Sequence, residues 1–297
     1  MSKLIEKILE TDGPCDSSKL NKKLQEEGVT YDAARKQISR ASDPIKKLKY
    51  IKFPHNGRFV YLDKQYNSYE FHENLFKSFD DFNSSYGLFV RSLQARQNFV
   101  PKVYVPIFSG APYWKTGDRL SYKIIAEHLE KTGLVEEVND ENLGVCYKIG
   151  FEPLLPGEIT AIRIRLRIEE FLIQTFARWL QINGLVSFNA VRTRTDIKLP
   201  SVGRFKWDVA APSYLSAWKT FIETEGKYSV KPGFFVADVI NNQEDLETKH
   251  IKYFVNKCAV NTQLPNARPI VPFLISNSFT KEALDYGRRK GFVFTTF

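Results

Sequence analysis

The sequence predicts a multidomain α+β protein, with a helical module at its N-terminus and a mixed α/β domain at its C-terminus. The chain of 297 residues is longer than the roughly 100–200 residues that one domain usually takes. Residues 1–65 show three helical patterns and then a hairpin pattern, whereas a long helical pattern followed by extended runs begins near residue 153. We therefore predict three domains, with bounds at 1–65, 66–152 and 153–297.

The composition indicates a folded protein with a polyanionic partner. Hydrophobic residues make up 43% of the chain, and the formal net charge is +9. A basic balance of this size suits DNA, RNA or an anionic membrane. No apolar run approaches the roughly 20 residues that span a bilayer, and the first residues lack the apolar stretch of a signal peptide. We therefore expect a nucleic-acid partner and no membrane.

The cysteines and histidines restrict the chemistry. Cys15, Cys146 and Cys258 are far apart and odd in number, which argues against a disulfide framework and favours a reducing, cytoplasmic location. No two cysteines have zinc spacing, and the four histidines include no pair four residues apart. A metal ion in this chain would need oxygen ligands.

The N-terminal module begins with three predicted helices. Apolar residues recur at helical spacing over residues 2–10. A second helix follows, with Asp16 or Ser17 as its cap, and ends at Gly28. A third helix covers Tyr31–Ala41, with basic side chains on its outer face.

A hairpin is predicted after the third helix. Two extended runs, Leu48–Phe53 and Arg58–Leu62, flank the turn sequence Pro54-His55-Asn56-Gly57. An Asn-Gly pair between alternating apolar runs is a strong hairpin signal.

Three helices and a hairpin in this order resemble a winged helix-turn-helix domain. In that family the third helix enters the major groove of DNA and the hairpin wing touches the backbone. An alternative is a winged helix that contacts protein, but residues 1–65 contain 14 Lys and Arg against 9 Asp and Glu, which favours DNA. The residues expected to bind DNA are Arg35, Lys36, Gln37, Arg40, Lys47, Lys49, Lys52 and Arg58.

The middle segment, 66–152, is predicted to be a linker or dimerisation domain. One interpretation is a second, degenerate winged helix, since its last helix and hairpin are less basic than those of the first module. The predicted elements are a helix over Tyr69–Gln97 broken near Asn83-Ser84, a strand over Val100–Phe108, a helix over Leu120–Thr132 and a hairpin of Leu134–Val138 and Val145–Ile149.

The C-terminal segment alternates strands and helices in the manner of a mixed α/β domain. Pro156-Gly157 opens a long helix that runs to Gln181. The further predictions are extended runs at Leu185–Arg192, Arg204–Ala211 and Gly233–Ile240, a helix at Asp245–Val260, a strand at Ile270–Ser276, a helix at Thr280–Lys290 and a strand at Phe292–Thr296.

Three acidic residues occupy positions where apolar residues are expected. Glu169 lies in the middle of the apolar stripe of the long helix, and Asp238 interrupts an otherwise apolar strand. Asp208 lies in another extended run. A buried carboxylate costs several kcal/mol unless it is paired or binds a metal, so we expect the three to converge.

The C-terminal layout and these acids resemble the PD-(D/E)xK restriction-endonuclease-like superfamily. The resemblance implies that Glu169, Asp208 and Asp238 hold Mg²⁺, with Mn²⁺ as an alternative, and that a lysine two residues after Asp238 helps to activate water. That position is Ile240. We predict that Lys257, on the following helix, replaces the missing lysine in the catalytic set; Lys206 is the second choice.

Structural roles for the acids remain open. Asp208 can cap a turn, Asp238 can bond to the backbone at the end of a strand, and Glu169 can pair with Arg192 or Arg194.

Three functional hypotheses follow. The leading one is a Mg²⁺-dependent endonuclease that cleaves DNA in restriction or anti-phage defence, as a homodimer or with partner subunits. The second is a non-catalytic DNA-binding subunit of a larger complex, and the third is a winged-helix transcription regulator with a ligand-sensing domain. Whether the three acids meet within metal-sharing distance discriminates among them.

Overall fold

The computed structural model describes residues 2–114, 119–153, 155–213, 215, 219–224, 227–263 and 267–296. The chain forms two compact units, which we call the first unit (1–87 with 126–135) and the second unit (88–125 with 136–297). The segment 66–152 contributes to both units. The predicted domain boundaries stay predictions, because compactness does not show which segments fold by themselves.

The first unit contains the three predicted N-terminal helices and a small antiparallel sheet in the order β1-β3-β2. Asp16 is the cap of the second helix: its side chain accepts hydrogen bonds from the backbone N–H groups of Ser18 and Lys19 at 2.9 and 3.0 Å. The elements are α1 (Ser2–Asp12), β1 (Cys15–Asp16), α2 (Ser17–Glu26), α3 (Tyr31–Arg40), β2 (Ile45–Lys47), β3 (Phe59–Leu62) and α4 (Tyr69–Asp81).

The predicted strand Leu48–Phe53 is wrong. The strand that pairs with β3 is Ile45–Lys47, and residues 48–53 leave the sheet before a 3-10 turn at Pro54–Asn56. The guanidinium of Arg58 donates to the carbonyl oxygens of this detour, including Leu48 at 3.5 Å and Ile51 at 3.4 Å. The carbonyls are therefore satisfied without ladder hydrogen bonds, which permits the irregular path.

An aromatic layer joins α4 to the small sheet. The ring of Phe71 meets those of Phe59 and Tyr61 edge-on, with centroids 5.4 and 5.1 Å apart. His72 is buried next to this layer, and its Nε2 lies 2.9 Å from Asn67 Oδ1. Burial lowers the pKa of His72 to about 4.

We expect the first unit to lose stability as the pH falls from about 6.5 to 4. The folded state holds His72 neutral below the pH at which the unfolded chain protonates it, so protonation favours unfolding by up to about 3 kcal/mol at pH 4. Urea unfolding at a series of pH values, compared between the wild type and His72→Phe, measures this. The expectation fails if both proteins show the same pH slope across this window.

Three helices and three strands lie between α4 and the long helix, within the described residues. The predicted break near Asn83 is confirmed, and Asn83 takes a positive φ of 46° there. The elements are α5 (Ser85–Gln94), β4 (Phe99–Pro101), α6 (Val105–Phe108), α7 (Tyr122–Lys131), β5 (Val135–Asp140) and β6 (Gly144–Ile149), with strand order β4-β6-β5.

The predicted strand Val100–Phe108 is wrong after its first residues. A 3-10 turn at Lys102–Tyr104 follows β4 and leads into α6. Pro106 has no N–H for a sheet ladder but suits the first turn of a helix, and all four side chains of α6 are buried. Burial of a continuous apolar run therefore takes a helical form here.

The second unit has a mixed five-stranded sheet in the order β15-β14-β13-β10-β7. Strands β13, β14 and β15 are parallel, whereas β13, β10 and β7 are antiparallel. The remaining elements are α8 (Pro156–Ile182), β7 (Arg192–Thr193), β8 (Ser201–Val202), β9 (Phe205–Lys206), β10 (Val209–Pro212), β11 (Lys219–Thr224), β12 (Lys227–Pro232), β13 (Phe234–Ile240), α9 (Thr248–Gln263), β14 (Ile270–Ser276), α10 (Lys281–Arg289) and β15 (Val293–Thr296).

The mixed α+β class is confirmed, and the second unit differs from the prediction at three places. The run Leu185–Arg192 contributes only the start of β7, because a 3-10 turn occupies Phe188–Ala190. The run Arg204–Ala211 divides into β9 and β10 at Asp208. The hairpin of β11 and β12 was not predicted.

The core of the second unit places α8 against the sheet. Buried side chains of α8, including Ile173 and Leu180, pack with Val209 of β10 and with Phe235 and Val239 of β13. Glu169 lies one turn before Ile173 on the same face, so the helix presents a carboxylate to the sheet.

Within the described residues, no helix has the length and apolar character that crossing a membrane demands. Cys15, Cys146 and Cys258 are free and buried.

Candidate functional site

Helix α3 exposes the basic side chains that were predicted to bind DNA. Ala34 and Ile38 anchor the helix in the core of the first unit, and this leaves Arg35, Lys36 and Arg40 exposed. The packing is a direct consequence of the four-residue spacing of the two apolar side chains.

A groove of about 650 Å³ lies on one side of α3. Arg35 and Ser39 of α3 face the first turn of α2 and the turn at residues 54–57 across it. Backbone N–H groups of the first turn of α2 are favourable for an anion, although Asp16 already accepts from two of them. The groove combines one basic side chain from α3 with hydroxyl and amide groups.

A second groove, of about 290 Å³, lies between α1 and the opposite side of α3. Lys36, Gln37 and Arg40 line it together with Ile5 of α1. Gln37 is half-buried, and its Oε1 has no hydrogen-bond partner within the described part of the chain. The basic residues of α3 are thus divided between its two sides.

The predicted contacts after α3 have two different environments. Lys49 and Lys52 are exposed. Lys47 donates from Nζ to the carbonyl oxygen of Ser39 at 2.6 Å, and burial, with the neighbouring Arg58, lowers the pKa of Lys47. Arg58 donates to the carbonyls of Leu48, Lys49 and Ile51, with its closest contact to Lys49. In this structure Lys47 and Arg58 therefore stabilise the protein's own backbone.

The three predicted acids converge in the second unit. Glu169 on α8 and Asp208 before β10 are each 1% exposed, and Asp238 in β13 is fully buried. Asp238 Oδ1 lies 3.4 Å from the backbone nitrogen of Asp208. Together with four buried cations they form what we call the charge cluster: Glu169, Asp208, Asp238, Arg96, Arg165, Arg194 and Lys257.

Arg194 joins two of the acids. Its Nη2 donates to Glu169 Oε2 at 3.0 Å and its Nη1 donates to Asp208 Oδ1 at 3.2 Å. Burial would lower the pKa of Arg194, but the carboxylates of Asp208 and Glu169 outweigh it and raise this pKa above its ordinary value. The sequence analysis left a pairing of Glu169 with Arg192 or Arg194 open, and the structure shows the pair with Arg194.

Lys257 on α9 pairs with the third acid. Its Nζ donates to Asp238 Oδ2 at 2.6 Å and to the carbonyl of Ile107 at 2.9 Å, and it lies 3.9 Å from the centroid of the Trp207 ring. Burial lowers the pKa of Lys257, an effect that Asp238 opposes. Burial likewise raises the pKa of Asp238, and Lys257 opposes that rise. Of the two lysines considered, Lys257 is the one that reaches the acids; Lys206 donates to the carbonyl of Leu199 at 3.4 Å.

The sequence analysis missed Arg96 and Arg165. Arg165 Nε lies 3.9 Å from Glu169 Oε1, and burial lowers the pKa of Arg165 to about 10. Its spacing of four residues from Glu169 on one helix is a signal that could have revealed it. Arg96 donates to the hydroxyl of Tyr253 at 2.9 Å, and nothing in the local sequence indicates that pairing.

The charge cluster does not fit the Mg²⁺ or Mn²⁺ ion that the sequence resemblance implies. Within the described ranges, no three His, Cys, Asp or Glu side chains form a group that could hold a metal ion. The space beside Glu169, Arg194 and Asp208 is a cavity of about 10 Å³, near the minimum for one water molecule. Divalent Mg²⁺ demands six oxygen ligands. The predicted catalytic and metal-binding roles of Glu169, Asp208, Asp238 and Lys257 stay predictions.

Comparisons with known proteins add little. No protein-family model and no curated protein matches the chain. One solved structure, described as an EndoMS complex with double-stranded DNA, is similar over 52% of this chain and 52% of that chain, with 14% sequence identity and a TM-score of 0.24. The chain thus spans about half the length of that protein, and a similarity this low carries no argument about function.

Proposed function

We propose that the protein binds double-stranded DNA and that its first unit is a winged helix. The observation that carries the proposal is the exposed basic face of α3 in the arrangement α1-β1-α2-α3-β2-β3, with a sheet in the order β1-β3-β2. In winged helices of this topology, the helix that corresponds to α3 lies in the major groove. The net charge of +9 supports a polyanionic partner.

The contacts divide into two kinds. Arg35, Lys36 and Arg40 project from α3 and offer donors to base edges and phosphates. Lys49 and Lys52 extend from the irregular segment between the strands and suit phosphates. Lys47 and Arg58, which were also predicted to bind DNA, would have to leave backbone carbonyls first, so we assign them a supporting role.

Fluorescence anisotropy with a labelled mixed-sequence duplex tests this proposal. Each of the five exposed cations that contacts a phosphate releases condensed counterions from the DNA. A plot of the logarithm of the association constant against the logarithm of the salt concentration should therefore have a slope of about −4 to −5. The proposal is wrong if the full chain shows no saturable binding at 50 mM salt. Recognition of a particular DNA sequence would need a separate selection experiment.

We further propose that the second unit does not cleave DNA in the conformation described, which corresponds to a non-catalytic DNA-binding subunit. The charge cluster supports this proposal because its acids are already paired with Arg194 and Lys257 and are inaccessible to solvent. A phosphodiester and a hydrated metal ion need far more space than the cavity beside Glu169 offers.

Metal-dependent DNA cleavage is the second candidate function. The convergence of Asp208, Asp238, Glu169 and Lys257 favours it, since these are the residues that the resemblance to restriction-endonuclease-like domains implies. A place in restriction or anti-phage defence belongs to this candidate. The proposed homodimer or partner subunits and the cytoplasmic location stay predictions.

A plasmid assay separates the two candidates. The chain would be incubated with supercoiled plasmid in Mg²⁺, Mn²⁺ or EDTA, beside an Asp208→Ala/Asp238→Ala variant. We expect no nicking by either protein. Metal-dependent nicking by the wild type that the variant lacks would replace the non-catalytic assignment with a nuclease whose lysine is Lys257.

A further inference from the structure

We infer that Arg194 is a built-in counter-ion that occupies the place between Glu169 and Asp208 where a divalent cation would otherwise bind. This role of Arg194 belongs to the second unit alone and is separate from the DNA binding proposed for the first unit. Without the guanidinium, the two carboxylates would take up a divalent metal ion.

The hydrogen bonds of the two carboxylates carry the inference. Glu169 Oε2 and Asp208 Oδ1 accept from the two terminal nitrogens of Arg194. The other two oxygens accept backbone N–H groups, Glu169 Oε1 from Asn241 at 3.1 Å and Asp208 Oδ2 from Val239 at 2.8 Å. Each carboxylate of the pair thus has one oxygen on Arg194 and one on a backbone N–H group, so the guanidinium occupies the position of a cation that bridges the two carboxylates.

Several contacts hold the guanidinium in this place. The backbone nitrogen of Arg194 donates to the Asp208 carbonyl at 2.8 Å, which sets the start of its side chain against β10. The ring of Tyr104 covers the guanidinium, with 4.8 Å between its central carbon and the ring centroid. The side chain of Arg194 is 3% exposed. The planar guanidinium of arginine can span two carboxylates and stack on an aromatic ring at the same time, which the ammonium group of lysine cannot do as well.

Removal of the guanidinium should convert the pair into a cation site. Arg194→Ala leaves Glu169 and Asp208 buried without the cation that bridges them. It also enlarges the small cavity beside them by the volume of the lost side chain. Arg194 is the cation that bridges both carboxylates, whereas Arg165 lies 3.9 Å from Glu169 Oε1 alone. Carboxylate oxygens that lose a bridging cation are ligands that Mn²⁺ and Mg²⁺ can take. The backbone N–H groups of Val239 and Asn241 would still orient both carboxylates.

Isothermal titration with MnCl₂ tests the inference on the full-length chain. We expect no stoichiometric binding by the wild type and a melting temperature that is the same in EDTA and in Mn²⁺. We expect Arg194→Ala to bind one Mn²⁺ per chain at least tenfold more tightly than the wild type, and to gain several degrees of melting temperature in Mn²⁺. Arg194→Ala/Asp208→Asn, which lacks one of the two carboxylates, should lose both gains.

Two controls keep the inference open to refutation. Arg165→Ala removes another buried arginine near Glu169 that does not bridge the two acids, and it should gain no Mn²⁺ binding. A wild-type chain that binds one Mn²⁺, with binding abolished by Asp208→Asn, would overturn the inference even if Arg194→Ala failed to fold. A folded Arg194→Ala chain that binds no more Mn²⁺ than the wild type would overturn it as well.

Discussion

Replacement of Lys257 by methionine is expected to lower the free energy of unfolding by about 3–5 kcal/mol. Methionine fills nearly the same space, but it leaves Asp238 fully buried without its cation and the carbonyl of Ile107 without its donor. An unpaired charge in the interior costs several kcal/mol even though an intact buried pair contributes little net stability.

The expected loss depends on pH in a definite direction. Burial raises the pKa of Asp238 and Lys257 opposes that rise, so loss of Lys257 raises this pKa further. An acid whose pKa is higher in the folded than in the unfolded state costs stability as the pH rises through the folded value. The variant should therefore be less impaired near pH 5 than near pH 8. Guanidinium unfolding followed by tryptophan fluorescence at both pH values measures the difference.

A double variant distinguishes lost charge pairing from lost packing. Asp238→Asn/Lys257→Met removes both charges, and we expect it to recover most of the stability that Lys257→Met loses. The matched control is Lys249→Met, a lysine of the same helix that pairs at the surface with Glu247; its effect should stay within about 0.5 kcal/mol. A double variant as unstable as the single one would show that Lys257 acts through packing. If Lys257→Met does not fold, folding of the double variant still answers the question.

Charge reversal on α3 is expected to weaken DNA binding on the order of 10³-fold at physiological salt, since each lost contact costs about 1–3 kcal/mol. The variant is Arg35→Glu/Lys36→Glu/Arg40→Glu. These side chains are exposed, so the fold should persist, which circular dichroism can verify. The slope of log K against log salt concentration should also fall by about three, one for each cation removed.

The matched control changes the same amount of charge elsewhere on the first unit. Lys3→Glu/Lys7→Glu/Lys64→Glu alters three exposed lysines that line neither groove beside α3. If α3 binds DNA, this control should lose at most about tenfold in affinity, through the longer-range field alone. Equal losses in the two variants would show that overall charge, and not the face of α3, determines binding.

The local patterns that the sequence predicted correctly are those with a strong periodic or capping signal. Helices α1, α2, α3 and α8 have apolar residues at helical spacing, and their observed bounds differ from the predicted ones by a few residues. Strand β14 was predicted with its observed bounds, because a short apolar run between prolines and a polar cluster has few alternatives.

The failures are at places where contacts distant in the sequence decide the path. Residues 48–53 look like half of a hairpin, but the guanidinium of Arg58 donates to three of their carbonyls outside the ladder. Residues 102–108 look like a strand, but Pro106 and the burial of all four side chains of Val105–Phe108 favour a helix there. In both cases intrinsic strand preference is weaker than the tertiary environment.

The sequence by itself indicated that Glu169 and Asp238 lie in apolar surroundings, on the apolar stripe of a helix and within an apolar strand, and it predicted that Asp208 converges with them. It also identified Lys257 as a lysine within reach of them. Only the tertiary structure decided what neutralises them. Arg96 is separated from Asp208 by more than a hundred residues of chain, and Arg194 is aimed by a backbone hydrogen bond to a neighbouring strand. Electrostatic compensation depends on distances of a few ångströms in three dimensions, which residue spacing along the chain does not encode.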